Sequence, residues 1–131
     1  MGKKFLIDTN IIIYYLDNRI PDSQLSTLES IFKSSFNIST ITKIELLGWH
    51  RINNEIKSKV ESFLSRANVI YINSQIENKA IEIKQINKIP IPDAIIAATA
   101  IINNFTLTTR NRKDFEWLPK LDIYNPFEQL N

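Results

Sequence analysis

The 131-residue chain has no cysteine, one histidine and only two glycines, and these scarcities remove several familiar chemistries before any motif is sought. Without cysteine there is no disulfide, no zinc–thiolate site and no thiol nucleophile. A lone imidazole, His50, cannot build a two-histidine metal site, and no Gly-x-Ser-x-Gly elbow accompanies it to support a Ser-His-Asp arrangement. Gly2 and Gly48 stand apart, so the glycine-rich loops that cradle phosphates or dinucleotides are missing. Apolar runs are interrupted well short of membrane-spanning length. Although Lys3 and Lys4 precede an apolar stretch, Asp8 cuts it too early for a signal-peptide core. The expected location is the cytoplasm, with no membrane partner.

What is present describes an ordinary globular chain. A hydrophobic fraction of 44% and a charged fraction of 23% are close to the globular average and argue against disorder. The length suits a single domain over residues 1–131. A net charge of +2 permits nucleic-acid binding without demanding it.

Strand-like and helix-like segments alternate along the chain. Lys3–Asp8 reads as a short buried strand running into Asp8-Thr9-Asn10, all helix-start residues, so IIIYYL is expected to be helical. Pro21-Asp22-Ser23 opens an amphipathic helix carrying Leu25, Leu28, Ile31 and Phe32 on one face. A second strand is expected at Phe36–Thr40, then a helix starting at Thr42 and running through Trp49, and another over about 54–67. NVIYI at 68–72 is strand-like, and Ser74 caps a helix with Ile76, Ala80, Ile83 and Ile86 facing inward. The IPIP segment breaks that helix, because a residue before proline is pushed extended. Pro92 suits the first position of the next helix, which is rich in Ala and Ile and apolar nearly all round. FTLTT and LDIY are the last two expected strands. This alternation implies a three-layer α/β/α domain around a central parallel sheet.

Four acids fall where strands end or helices begin: Asp8, Glu45, Asp93 and Asp114. Each alone has a structural explanation. Asp8 can cap the first helix. Thr42-x-x-Glu45 fits a capping box. Asp93 in a first turn suits the helix dipole, and Asp114 can cap a short turn. In open parallel sheets, however, the loops at the carboxyl ends of the strands form the binding crevice. Asp8, Glu45 and Asp114 fall on that edge, whereas Asp93 needs the fold to bring it across. Carboxylates gathered there would raise one another's pKa unless a hard cation sat among them.

The DTN that follows an apolar strand, T-x-x-E-L, PDAIIAATA and L-T-T-R-N-x-x-D-F, in this order, resemble the PIN domain. More narrowly they are similar to the VapC-type ribonuclease toxins of bacterial toxin–antitoxin pairs, over nearly the whole chain from Asp8 to the closing YNPFE. That resemblance implies a PIN-like fold and an acidic Mg²⁺ centre, with Mn²⁺ as an alternative, that hydrolyses RNA to 5′-phosphate and 3′-hydroxyl ends. Asp8, Glu45 and Asp93 match the three main acids and are the expected catalytic residues and metal ligands. Many relatives read T-R-D where this chain reads Thr109-Arg110-Asn111, with Asp114 three residues later. Asp114 is therefore expected as the fourth catalytic acid, with Asn111 the alternative for that corner. Thr9 and Asn10 resemble positions that organise the site by hydrogen bonds, although plain capping explains them equally well.

Arg110, Arg112 and Lys113 form a short basic run able to hold RNA phosphates, and Asn10 joins them as a candidate substrate contact. Tyr14, Tyr15 and Trp117 could stack a base but suit packing better. Leu46, Leu47 and Trp49 are expected in the core rather than in a partner groove, and His50 at the surface. The resemblance further implies an RNA substrate, a VapB-like antitoxin and a homodimer. An RNA-processing PIN nuclease and a catalytically inactive PIN binding module are the alternatives. A phosphatase of the haloacid-dehalogenase type also places an Asp after strand one, but it needs a second Asp where this chain has Asn10.

Overall fold

Strands Phe5–Ile7 (β1), Asn37–Ser39 (β2), Asn68–Ile70 (β3), Thr106–Thr108 (β4) and Ile123–Tyr124 (β5) form one sheet in the computed structural model, which describes residues 2–128. All four neighbouring pairs are parallel, in the order β3-β2-β1-β4-β5. The chain therefore builds outward from β1 to β3 and then returns to the other side of β1. That reversal leaves a crevice between the carboxyl ends of β1 and β4, where such sheets bind ligands.

Among the described residues seven helices connect the strands: Thr9–Leu16 (α1), Asp22–Ser34 (α2), Thr40–Leu47 (α3), Asn54–Leu64 (α4), Ser74–Ile86 (α5), Ile91–Asn103 (α6) and Arg112–Phe115 (α7). Successive strand residues point to opposite faces, and the core divides accordingly. Leu6 and Leu107 pack with Ile76, Ile83, Ala97 and Phe115 on one face. Ile7 and Ile38 pack with Ile11, Leu28, Val60 and Leu64 on the other. Each fully buried isoleucine contributes about 1.5–3 kcal/mol of apolar burial, so two-sided coverage is what holds strands of two or three residues in place.

The helix boundaries correct several expectations. The third helix begins at Thr40 with Ser39 as its cap, the Ser39 side chain accepting from Ile41 N at 3.1 Å. Thr42 is therefore inside the helix, and the capping-box explanation of Glu45 falls. Trp49 lies beyond the helix end and is 45% exposed, so it is not a core residue. Asn73, not Ser74, caps α5, with its side chain accepting from Ile76 N at 2.9 Å. Ile86 is 71% exposed rather than inward-facing, because α5 ends there. The fourth helix stops at Leu64, and α6 starts at Ile91 with Pro92 second. Asp114 sits within the single turn of α7, whose cap is Asn111.

The turn after α6 decides where Asp93 goes. Asn104 takes a left-handed conformation (φ 56°), which asparagine tolerates at a helix end, and β4 begins two residues later. The carboxyl end of α6 thus meets the start of β4. Its amino end, about 20 Å away for thirteen residues, lies at the opposite edge, with Asp8 and Glu45. Ala94, Ala97, Ala98 and Ala100 are fully buried, and their small side chains let α6 pack closely on its neighbours. Among the described residues no helix is long and apolar enough to cross a membrane.

Candidate active site at the carboxyl edge of the sheet

Asp8 follows β1 directly and is only 6% exposed. Both of its carboxylate oxygens are engaged. Oδ1 accepts from Thr9 N at 2.8 Å, the capping contact of α1. Oδ2 accepts from Thr109 Oγ1 at 2.8 Å and from Asn10 Nδ2 at 3.2 Å. Strand parity explains the pairing: Ile7 and Thr108 are in register, so the next residues, Asp8 and Thr109, project to the same side. Thr109 is fully buried, and its hydroxyl also accepts from Asn111 N at 3.1 Å. Asn10 closes the far side of this network, its Oδ1 accepting from Arg110 N at 3.2 Å.

The Asp8 carboxyl is raised to about 6 in all, with burial the main cause. The hydrogen bonds from Thr109 and Thr9 pull it down, and the charges of Asp93 and Glu45 push it up again. Asp93, half-buried in the first turn of α6, is likewise raised, first by burial and then by Asp114 and Glu45. The four acids are therefore one electrostatic group, and among the described residues no basic side chain lowers Asp8 or Asp93. Glu45 is exposed on α3, with its Oε1 accepting from Thr9 Oγ1 at 2.6 Å. Asp114 is exposed on α7 and reaches the group through Asp93.

The donor set is all oxygen and carries excess negative charge, which suits a hard divalent cation. Among the described residues, no three histidine, aspartate or glutamate side chains gather closely enough to hold an ion by themselves. Such oxygen donors fit a divalent ion that completes its coordination with water.

The remaining expected site residues divide. Arg110 lies with its guanidinium 4.9 Å from the ring centre of Tyr14 and 4.5 Å from that of Phe127, a fixed cation at the rim. Arg112 is committed to an ion pair with Glu128 and to the carbonyl of Ile123. Lys113 is exposed, as is Asn111, which contributes its backbone N–H to Thr109. Tyr15 packs against Phe32 and Phe63, which answers the stacking question for that ring. Beside Glu45, Trp49 joins Ile13, Leu16, Leu46, Ile56 and Val60 in an apolar groove of roughly 370 Å³.

Two threonines, Thr109 and Thr42, complete the site beyond the residues expected from the sequence. Thr109 is legible in retrospect, as the polar residue one step past a strand in register with the strand before Asp8. Thr42 is not, because only the helix start at Thr40 turns its hydroxyl toward Thr9.

A parallel sheet with this order and an acidic crevice at its switch point is the architecture of the PIN domain, whose family model matches residues 5–121. "Ribonuclease VapC2" of Rickettsia felis is 31% identical over 92% of this chain and 96% of its own length. Among solved structures, VapBC2 from Rickettsia felis bound to a DNA fragment from its promoter superposes with a TM-score of 0.77 at 30% identity, covering 92% of this chain and 97% of that one. VapBC-1 from nontypeable Haemophilus influenzae gives 0.78 at 29% identity, covering 95% and 98%. The chain belongs to the PIN-domain family and, within it, to the VapC type.

Proposed function

We propose that this protein is a Mg²⁺-dependent endoribonuclease acting as the toxin of a toxin–antitoxin pair. The observation that carries the reading is the grouping of Asp8, Glu45, Asp93 and Asp114 at one sheet edge, where burial first and then neighbouring negative charge raise Asp8 and Asp93. The similarity to "Ribonuclease VapC2" supports RNA as the substrate.

Asp8 and Asp93 would hold the ion, with Glu45 and Asp114 orienting its waters; Mn²⁺ suits the same oxygen donors. When bound, the ion supplies a more acidic water and neutralises charge building on the phosphate. The chain's own contributions are positional. Thr109, Thr9 and Asn10 hold the Asp8 carboxylate in one orientation. Glu45 Oε1 accepts from Thr9, and among the described residues Oε2 has no hydrogen-bond partner. Arg110, fixed on two rings, offers positive charge to the RNA backbone at the rim.

The solved relatives are VapBC complexes, which supports a VapB-type antitoxin as the partner. The open apolar groove ending at Glu45 gives such a partner a seat beside the acids. A homodimer belongs to the same reading, and light scattering on the purified chain tests it; a monomer at micromolar concentration would remove it.

Cleavage of RNA with and without Mg²⁺ tests the central proposal. Asp8→Asn and Asp93→Asn should each abolish most of the rate, and wild-type rates in both variants would overturn the assignment. Binding also has a readout without turnover. Mg²⁺ should raise the melting temperature of the wild type by preferential binding to the folded state, and Asp93→Asn should blunt that rise.

A further inference from the structure

A fully buried hydroxyl reaches Glu45 through a second one. Thr42 on α3 has no exposed surface, and among the described residues its hydroxyl has a single hydrogen-bond partner, Thr9 Oγ1 at 3.0 Å. Thr9 Oγ1 in turn lies 2.6 Å from Glu45 Oε1. A hydroxyl carries one proton, and an ionised carboxylate only accepts. The Thr9 proton therefore goes to Glu45, and the bond between the threonines is donated by Thr42. The direction of the chain is thereby set: Thr42 to Thr9 to Glu45.

Thr9 also ties Glu45 to Asp8. Its backbone N–H donates to Asp8 Oδ1 at 2.8 Å while its hydroxyl donates to Glu45. One residue at the first position of α1 thus grips both carboxylates. Glu45 is exposed, and its side chain is long and rich in rotamers, so without this contact it would sample many orientations. Thr42 and Glu45 are three residues apart on one helix and share a face, which lets both meet Thr9.

We propose that Thr42 is a positioning residue for the reaction: it orients the Thr9 hydroxyl, which holds the Glu45 carboxylate in one rotamer beside Asp8. This rests on the reading of Glu45 as a catalytic acid. Loss of the Thr42 hydroxyl acts on the rate of the bound complex and not on RNA binding, because neither threonine belongs to the basic rim.

The experiment compares Thr42→Val, Thr42→Ser and Glu45→Gln in Mg²⁺-dependent RNA cleavage, together with the double variant. Thr42→Val should lower kcat roughly three- to tenfold, the effect of one net hydrogen bond, with KM unchanged. Thr42→Ser should restore the rate to within about twofold, since it keeps the donor. On the Glu45→Gln background Thr42→Val should add no further loss. If Glu45→Gln is impaired while Thr42→Val cleaves like the wild type, the relay is wrong and the function stands. Wild-type cleavage by Glu45→Gln would instead overturn the reading on which the relay depends.

Urea unfolding of the metal-free protein tests the relay without activity. Thr9→Val strands the buried Thr42 hydroxyl and should raise the unfolding constant about tenfold or more, whereas Thr42→Val leaves no buried donor and should change it much less. The double variant should be more stable than Thr9→Val alone. Equal costs for the two single variants, or strictly additive ones, would overturn the direction of donation.

Discussion

The hydroxyl of Thr109, one residue past β4, donates to Oδ2 of Asp8, one residue past β1, at 2.8 Å, although 101 residues separate them in sequence. The bond stitches the two strands together at the point where the strand order reverses, and it holds the most buried acid of the site against its tendency to protonate. It also makes Asp8 a reporter on the metal-free protein.

Asp8 titrates near 6 when folded and near 3.8 in the ordinary state, so between those values the folded protein binds more protons than the unfolded one. The contribution of Asp8 to stability is fully present below about pH 4 and is lost as pH rises through about 6. At neutral pH the difference corresponds to roughly 2–3 kcal/mol. In metal-free urea titrations Asp8→Asn should remove this part of the pH dependence, so its stability relative to wild type should improve from pH 4.5 to 7.5. An unchanged difference between the two proteins across that range would show that Asp8 is not the group responsible.

Asp114 and Asn111 compete for the fourth corner, and Asp114 is the one whose charge acts on Asp93. Asp114→Asn should lower the cleavage rate about tenfold or more, a barrier change of at least about 1.4 kcal/mol, with the largest deficit at limiting Mg²⁺. Asn111→Ala should do much less, since its known contact is through backbone N–H. The reverse order of effects in a Mg²⁺ titration would give the corner to Asn111.

The segment after β5 covers the basic loop: Asn125 Nδ2 donates to Arg110 O at 3.1 Å, Phe127 lies under Arg110, and Glu128 pairs with Arg112. Glu128 thus occupies a cation that would otherwise be open to the proposed RNA substrate. Glu128→Gln should tighten RNA binding about two- to threefold and steepen its salt dependence by up to about one phosphate contact. Fluorescence anisotropy on a cleavage-deficient Asp93→Asn background measures this; identical salt slopes would mean that Arg112 does not face the RNA.

Trp49 is the largest apolar side chain of the groove beside Glu45. If the antitoxin seats there, Trp49→Ala should weaken the complex by about 2 kcal/mol or more, as truncation of a buried aromatic anchor does. Catalytic rate should change far less, because among the described residues no hydrogen bond links Trp49 to any of the four acids. Calorimetric titration with the cognate antitoxin is the measurement, and wild-type affinity would place the partner elsewhere.

The sequence by itself determined the alternation of elements, the parallel three-layer class and the identity of the acids. Those features are local: a cap residue after an apolar strand, a proline at a helix start, or an alanine-rich buried helix can be read from neighbours a few residues apart. What only the tertiary structure decided was convergence and its consequences. Thr42 suits a cap by sequence, but the helix starts at Thr40 after Ser39, which turns its hydroxyl toward Thr9. Asp93 reached the site because the left-handed turn at Asn104 sets the direction of α6 against β4. Trp49 left the core because α3 ends one residue before Gly48. The convergence of the site depends on contacts between residues tens of positions apart, such as Thr9 with Thr42 and Asp8 with Thr109, whose energies are set by strand order and packing and leave no periodic trace along the chain.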